Sequence, residues 1–251
     1  MRLFGMRARG VMALLAGALL LLGLPLYQGL VLAPRGYLPV AASEAHQHFA
    51  PYLLWYGHHL GADLGYRLME LAIFLLATRL PGPLRRVLWP TEPRGGWTAM
   101  LCGIAGNLLF ALVLAVGMVA LPSVTQSYAA TGVAHRAAIE QGYATLVTVE
   151  TLVAKGLATA LIALALALMS VRGLASGRMP AWFAYLGLAT ASLLGTSAVF
   201  SIGGLLFKTP ATDTFALSFY ALWLVMLGVL LLRIQRRPTP EAEAVPAETT
   251  R

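Results

Sequence analysis

The run GVMALLAGALLLLGLPLYQGLVLAP, residues 10–34, holds no charged side chain between Arg9 and Arg35. A helix rises about 1.5 Å per residue and the hydrocarbon core of a bilayer is about 30 Å thick, so roughly 20 apolar residues cross it. The run is long enough, and nothing in it interrupts the apolar surface that lipid requires. Arg2, Arg7 and Arg9 precede it, which supplies the basic and apolar parts of an export signal. No small-residue cleavage site follows within reach and the apolar stretch continues to Pro34. The segment is therefore expected to stay as an uncleaved signal-anchor.

Outward from this run the pattern repeats. Spans are expected at about 10–34, 60–80, 98–121, 151–171, 180–207 and 214–232, the third ending before Pro122. The expected fold is all-α, a polytopic membrane protein built as a bundle of six transmembrane helices within residues 1–237. Its outer loop, 35–59, is expected to be partly helical and to pack on the bundle. The stretch PTPEAEAVPAETTR, 238–251, has no periodic apolar face and reads as a disordered cytoplasmic tail. Composition agrees: the 251 residues are 59% hydrophobic and 11% charged with a mean hydropathy of +0.75, which excludes a water-soluble domain. The single cysteine, Cys102, excludes an intramolecular disulfide and reads as a packing residue.

Lysine and arginine are retained on the cytoplasmic side of connecting segments. Thirteen basic residues fall in the segments before span one, between spans two and three, between four and five, and after six; the opposite loops hold three, Arg35, Arg136 and Lys208. That asymmetry puts both termini in the cytoplasm and the chain in a bacterial-type inner (plasma) membrane. The formal charge of +8 is split among four short segments near the membrane, so nucleic acid is not an expected partner.

From the outer loop onward, HRAAIEQGYATLVTVETLVAKGLATALIALALALM followed by SGRMPAWFAYLGLATA carries an Ala-rich helix, a Ser-Gly-x-x-Pro-x-Trp turn and a Leu-Gly-Leu span. Over about residues 135–191 this resembles uncharacterised bacterial multi-pass proteins grouped as a domain of unknown function. The resemblance implies a six-span bacterial membrane protein and no particular activity.

Span two is the unusual one. Written as a helix from about Tyr52 to Leu80, it places His59, Asp63, Tyr66, Arg67 and Glu70 within about 100° of one another, and Gly57, Gly61 and Gly65 on the opposing face. The glycines form a small-xxx-small stripe expected to admit a close neighbouring helix. Charges at this depth are expensive and should be paired. Asp63 and Arg67 are i,i+4 neighbours and Arg67 and Glu70 are i,i+3, so an ion-pair ladder within one helix is natural. Lys155 of span four falls at the depth of Asp63 and is expected to neutralise the ladder; Asn107 of span three falls near Glu70 and is a candidate donor to it. Asp63, Tyr66, Arg67, Glu70, Asn107 and Lys155 are thus the candidate ligand or ion pocket. Three roles stay open for the cluster: fixing helix packing, lining a solvated cavity, or relaying protons.

All five histidines, His46, His48, His58, His59 and His135, fall on the outer side of this topology. Imidazole binds transition metals, which makes His46, His48, His58 and His59 candidate metal ligands. Solvated interfacial histidines without a ligand are the alternative, and no cofactor is otherwise expected. No nucleophile elbow, zincin motif or phosphate-binding loop is present. The expected function is a membrane protein, non-enzymatic, with an outward-facing polar pocket for a small ligand or ion, or an accessory unit that packs on other membrane subunits in the bilayer. The alternatives are a small ion- or proton-coupled transporter using Glu70, and a metal-dependent membrane enzyme using the outer histidines.

Overall fold

The computed structural model describes residues 2–45, 47–90, 93–203 and 210–234. The tail at 238–251 and His46 lie outside the described residues. Among the described residues every element is helical. The first rod is α1 (Arg2–Ala18), a π-helical turn at Leu19–Gly23, α2 (Leu24–Tyr27) and a second π turn at Gln28–Leu32. Proline has no N–H and its ring crowds the carbonyl four residues back. The wide turn before Pro25 gives the Leu21 carbonyl the room it needs. Gly36, at φ 78°, ends the rod in a left-handed conformation that costs glycine nothing.

A short helix α3 (Tyr37–Ala45) leads into α4 (Ala50–Ala77), then α5 (Pro81–Leu88), α6 (Pro93–Ala130) and α7 (Val133–Glu150). A π stretch at Thr151–Ala158 joins α7 to α8 (Thr159–Ser176), and α9 (Ala181–Gly203) and α10 (Pro210–Ile234) follow. The segment 35–59 is partly helical among its described residues and packs on the bundle through Tyr37, Val40 and Phe49, as expected. The third apolar run does not stop at Pro122: α6 passes through it to Ala130. The Thr125 hydroxyl donates to the Leu121 and Pro122 carbonyls one turn further on.

Among the described residues, six long rods close into a ring in which α1 packs on α10 and α4, α4 on α6, α6 on α8, α8 on α9, and α9 on α10. Five described stretches are long and apolar enough to cross a membrane: Arg7–Arg35, Gly95–Ala130, Ala134–Ser176, Ala181–Gly203 and Thr214–Arg233. The remaining rod, α4, has 28 residues and carries Asp63, Arg67 and Glu70. Helices α1 and α10 run antiparallel, with Gly10 against Leu232 and Gly17 against Ala221 and Val225. At the end of the bundle where α5 lies, Arg172 and Arg178 donate to the Leu88 and Val87 carbonyls and Arg85 covers the Trp97 ring. The opposite end is an aromatic cluster that includes Phe49, Tyr52, Trp55, Tyr56, Tyr128 and Tyr143. Between them a larger apolar core runs from Ala13 and Phe74 to Phe183, Trp223 and Leu227.

The glycine stripe of α4 is corrected by the structure. Nothing lies within 4 Å of where a Cβ would stand at Gly57 or Gly61, and only Gly65 is approached, by the Tyr27 ring. The close helix contacts are made elsewhere, at Gly10, Gly17 and Gly228 between α1 and α10 and at Gly106 against α8. Periodicity places the glycines on one face, but helix α4 turns another face to its neighbours.

Candidate functional site

Helix α4 bends at His59, whose φ of −124° and ψ of 25° leave the helical region. The ring supplies a local reason. Its Nδ1 lies 3.0 Å from the Trp55 carbonyl, a contact that requires the proton on that nitrogen, and the imidazole stacks on the Trp55 ring at 4.8 Å. Trp55 is itself fixed, donating from Nε1 to the Arg35 carbonyl at 2.6 Å and packing against Tyr37 at 5.2 Å. The bend therefore joins α4 to the end of the first rod and to α3.

Below the bend stands the ion pair that the i,i+4 spacing implies. Arg67 Nε donates to Asp63 Oδ2 at 2.7 Å, and its Nη2 donates to the Tyr52 hydroxyl at 3.0 Å. Asp63 is only 2% exposed, so this pair is the means by which a carboxylate is kept in the interior. Tyr52 stacks on Tyr143 of α7 at 5.8 Å, and the Tyr143 hydroxyl donates to Glu44 Oε1 of α3 at 2.6 Å. The chain of contacts thus runs from Glu44 through two tyrosines to Arg67 and Asp63. Burial pushes the Glu44 carboxyl above its ordinary value, against the Tyr143 hydrogen bond and the charge of Arg67, which pull it down.

A third helix completes the site by having no side chain. At Gly117 of α6, the position of a Cβ would lie 2.6 Å from Glu150 Oε1 and 3.1 Å from Arg67 Nη1. The carboxylate and the guanidinium therefore face each other across this glycine. They do not pair: Glu150 Oε1 is shut from solvent and has no hydrogen-bond partner. The Tyr56 hydroxyl, on a residue that is 0% exposed, is also without one. The charges of Arg67 and Lys155 both act on Glu44, Glu70 and Glu150.

The structure sorts the residues singled out from sequence. Asp63 and Arg67 are joined directly; Glu70 is within the field of Arg67 and Asp63 on the same helix; Tyr66 packs on Tyr27 at 6.3 Å. Lys155 stands at an exposed position of the π stretch, where the wider turn sets it apart from the buried Ala154 and Gly156. Asn107 does not reach Glu70. Its Nδ2 donates to the Gly103 carbonyl at 2.7 Å and its Oδ1 accepts from the Tyr220 hydroxyl at 3.2 Å, in a separate small pocket lined also by Leu80, Ile162 and Trp223. The side chain meets α10 and lines a pocket with Ala77 and Leu80 at the end of α4, beyond Glu70.

His48 and His58 are exposed, and His59 is engaged by Trp55. Among the described residues no group of three or more His, Cys, Asp or Glu side chains is placed to hold a metal ion. Sequence reasoning missed Glu44, Tyr52, Gly117, Tyr143 and Glu150. One signal was available. Of the ten acidic residues, three stand in the tail at Glu241, Glu243 and Glu248, and four of the other seven meet here. Comparison of the chain with protein-family models, with curated proteins and with solved structures finds no match.

Proposed function

We propose that this chain is a multi-pass protein of a bacterial inner membrane, with α4 as a sixth span and both termini in the cytoplasm, and that the cluster around Arg67 is an outward-facing, non-catalytic polar site for a small ligand or ion. The observation that carries the reading is Glu150 Oε1, a carboxylate oxygen shut from solvent and without a hydrogen-bond partner, which packs beside Arg67 against the bare Cα of Gly117. A purely structural cluster would satisfy that oxygen, because an unsatisfied buried acceptor costs about 1–3 kcal/mol and more when charged. Sidedness rests on the basic residues gathered at the α5 end, which favour the cytoplasmic side there and so support an outward-facing aromatic end and site.

A transport role is the second reading. The bend at His59 and the π stretch at Thr151–Ala158 flank the charges, and irregular backbone at membrane depth is tolerated where it is buried in protein or lines a cavity. Glu70 would then be the coupling carboxylate.

Accessibility tests the site. Val147 lies on the α7 face that carries Tyr143 and Glu150 and packs on the aromatic cluster. In a Cys102→Ser background, Val147→Cys is expected to react with an impermeant thiol reagent added outside intact cells. Protection from the outside together with reaction from the inside would overturn an outward-facing site.

A further inference from the structure

The end of the bundle where α5 lies carries a positive excess that the Arg67 cluster does not use. Residues 79–97 hold Arg79, Arg85, Arg86 and Arg94 against Glu92 alone, and the end of α8 and the turn after it add Arg172 and Arg178 with no acidic residue. Helix α5 draws these charges together. It buries Leu84 and Leu88 against the bundle and leaves Arg86 exposed, while Arg178 and Arg172 donate to the Val87 and Leu88 carbonyls of its last turn. Among the described residues, Arg85, Arg86 and Arg178 pair with no carboxylate.

Arg85 is the most firmly held of them. Its guanidinium carbon lies 3.9 Å from the centre of the Trp97 ring, and its Cγ stands 3.0 Å from where a Cβ of Gly96 would be, so the bare glycine lets the stem lie along α6. A guanidinium stacked in this way keeps one plane, with its fork oriented for paired hydrogen bonds to a phosphate. Its Nε–H is shut from solvent and has no acceptor. The cation has therefore lost part of its hydration without gaining a partner, a cost that an anion on its remaining N–H groups would offset.

What adjoins Arg85 narrows the class of anion. Trp97 is 46% exposed, and below it on α6 Leu101 and Leu108, 56% and 45% exposed, continue an uncovered apolar face at spacings of four and seven residues. From Trp97 to Leu108 the helix rises roughly 16 Å, close to the hydrocarbon depth of one leaflet. A soluble acidic ligand would use only the arginines. A phospholipid uses both parts, its phosphate on the fork and an acyl chain along the leucines, and the excess of arginine over acid favours a headgroup with net negative charge.

Resting on the reading of the chain as a membrane protein, and not on which side α5 faces, we propose that α5 and the start of α6 bind an anionic phospholipid. Its phosphate lies on the Arg85 fork, Arg86 and Arg178 supply further positive charge, and one acyl chain follows Trp97, Leu101 and Leu108.

The test is the thermal midpoint of the purified full-length protein in neutral detergent, titrated with dioleoyl phosphatidylglycerol. Dioleoyl phosphatidylcholine, glycerol 3-phosphate and sodium chloride at equal ionic strength are the comparisons. A saturable rise with phosphatidylglycerol, larger than with any comparison, is the expected result. Arg85→Gln should raise the lipid fraction needed for half the effect about fivefold. Arg86→Gln changes an exposed side chain, so it should leave the lipid-free midpoint unchanged while raising that fraction, and it serves alone if Arg85→Gln does not fold. An equal response to phosphatidylcholine, or one to glycerol 3-phosphate or salt as large as the lipid's, overturns the proposal. So does a phosphatidylglycerol effect that both variants leave intact. The two readings fail separately: protection of Val147→Cys from the outside removes the outward-facing site without touching the lipid titration, whereas a missing phosphatidylglycerol effect removes the lipid without touching the labelling.

Discussion

Arg67 is the residue on which the site turns, because it holds Asp63, Tyr52 and the Glu150 side of Gly117 together. Removing one member of a buried pair strands the other, which typically costs about 3–5 kcal/mol, whereas removing both often costs far less. Arg67→Met and Asp63→Asn are each expected to lower the thermal midpoint strongly, and the double variant to regain a large part of the loss; strictly additive losses would show that each answers to another partner. Glu44 gives a second prediction, through pH. Its carboxyl is held above the ordinary 4.5 by burial, so the fold favours its neutral form. The stability this contributes is present below 4.5 and is lost as pH rises through the elevated value. Glu44→Gln should flatten that part of the stability profile; an unchanged profile would mean that Glu44 is solvated. The Asp63–Arg67 pair was legible in the sequence because i,i+4 spacing is a property of one helix. Glu44, Tyr143 and Glu150 were not, since nothing in the periodicity of α3, α4 and α7 says which faces meet.

At the scale of elements, the helices approach through glycines, but not those that form the most regular stripe. Gly17 has the Val225 nitrogen at 2.7 Å and the Ala221 carbonyl at 2.8 Å from its Cβ position, both backbone atoms that cannot rotate away. Gly17→Ala is expected to lower stability by about 1–3 kcal/mol through overpacking. Gly61→Ala adds a side chain where nothing lies within 4 Å, in a helix interior, and is expected to leave stability unchanged or raise it by up to about 1 kcal/mol. Thermal unfolding in detergent separates the two, and a large loss at Gly61 would show that α4 turns this face to a neighbour. The stripe misled because a repeat of small residues marks a face without marking what stands opposite it. The apolar runs themselves were legible: five recur as helices able to cross a membrane. Pro122 misled in the other direction, because α6 carries a proline that would more often end or kink a helix in water.

At the scale of the whole molecule, the proposed topology has α4 crossing the membrane despite Asp63, Arg67 and Glu70, and so bringing the site to the outer half of a six-span bundle. Its place in the ring between α1 and α6, with Phe74 stacked on Phe110 at 3.9 Å near one end and Tyr52 on Tyr143 near the other, would let three charges cross with it. The most direct measurement compares two exposed positions on either side of that helix, Ala42 in α3 and Arg86 in α5. In the Cys102→Ser background, Ala42→Cys should react with an impermeant thiol reagent in intact cells, and Arg86→Cys only after the membrane is opened. Reaction of both positions from the same side would rule out a membrane-crossing α4, since the helix would then return to the surface it left and the Arg67 site would not face outward.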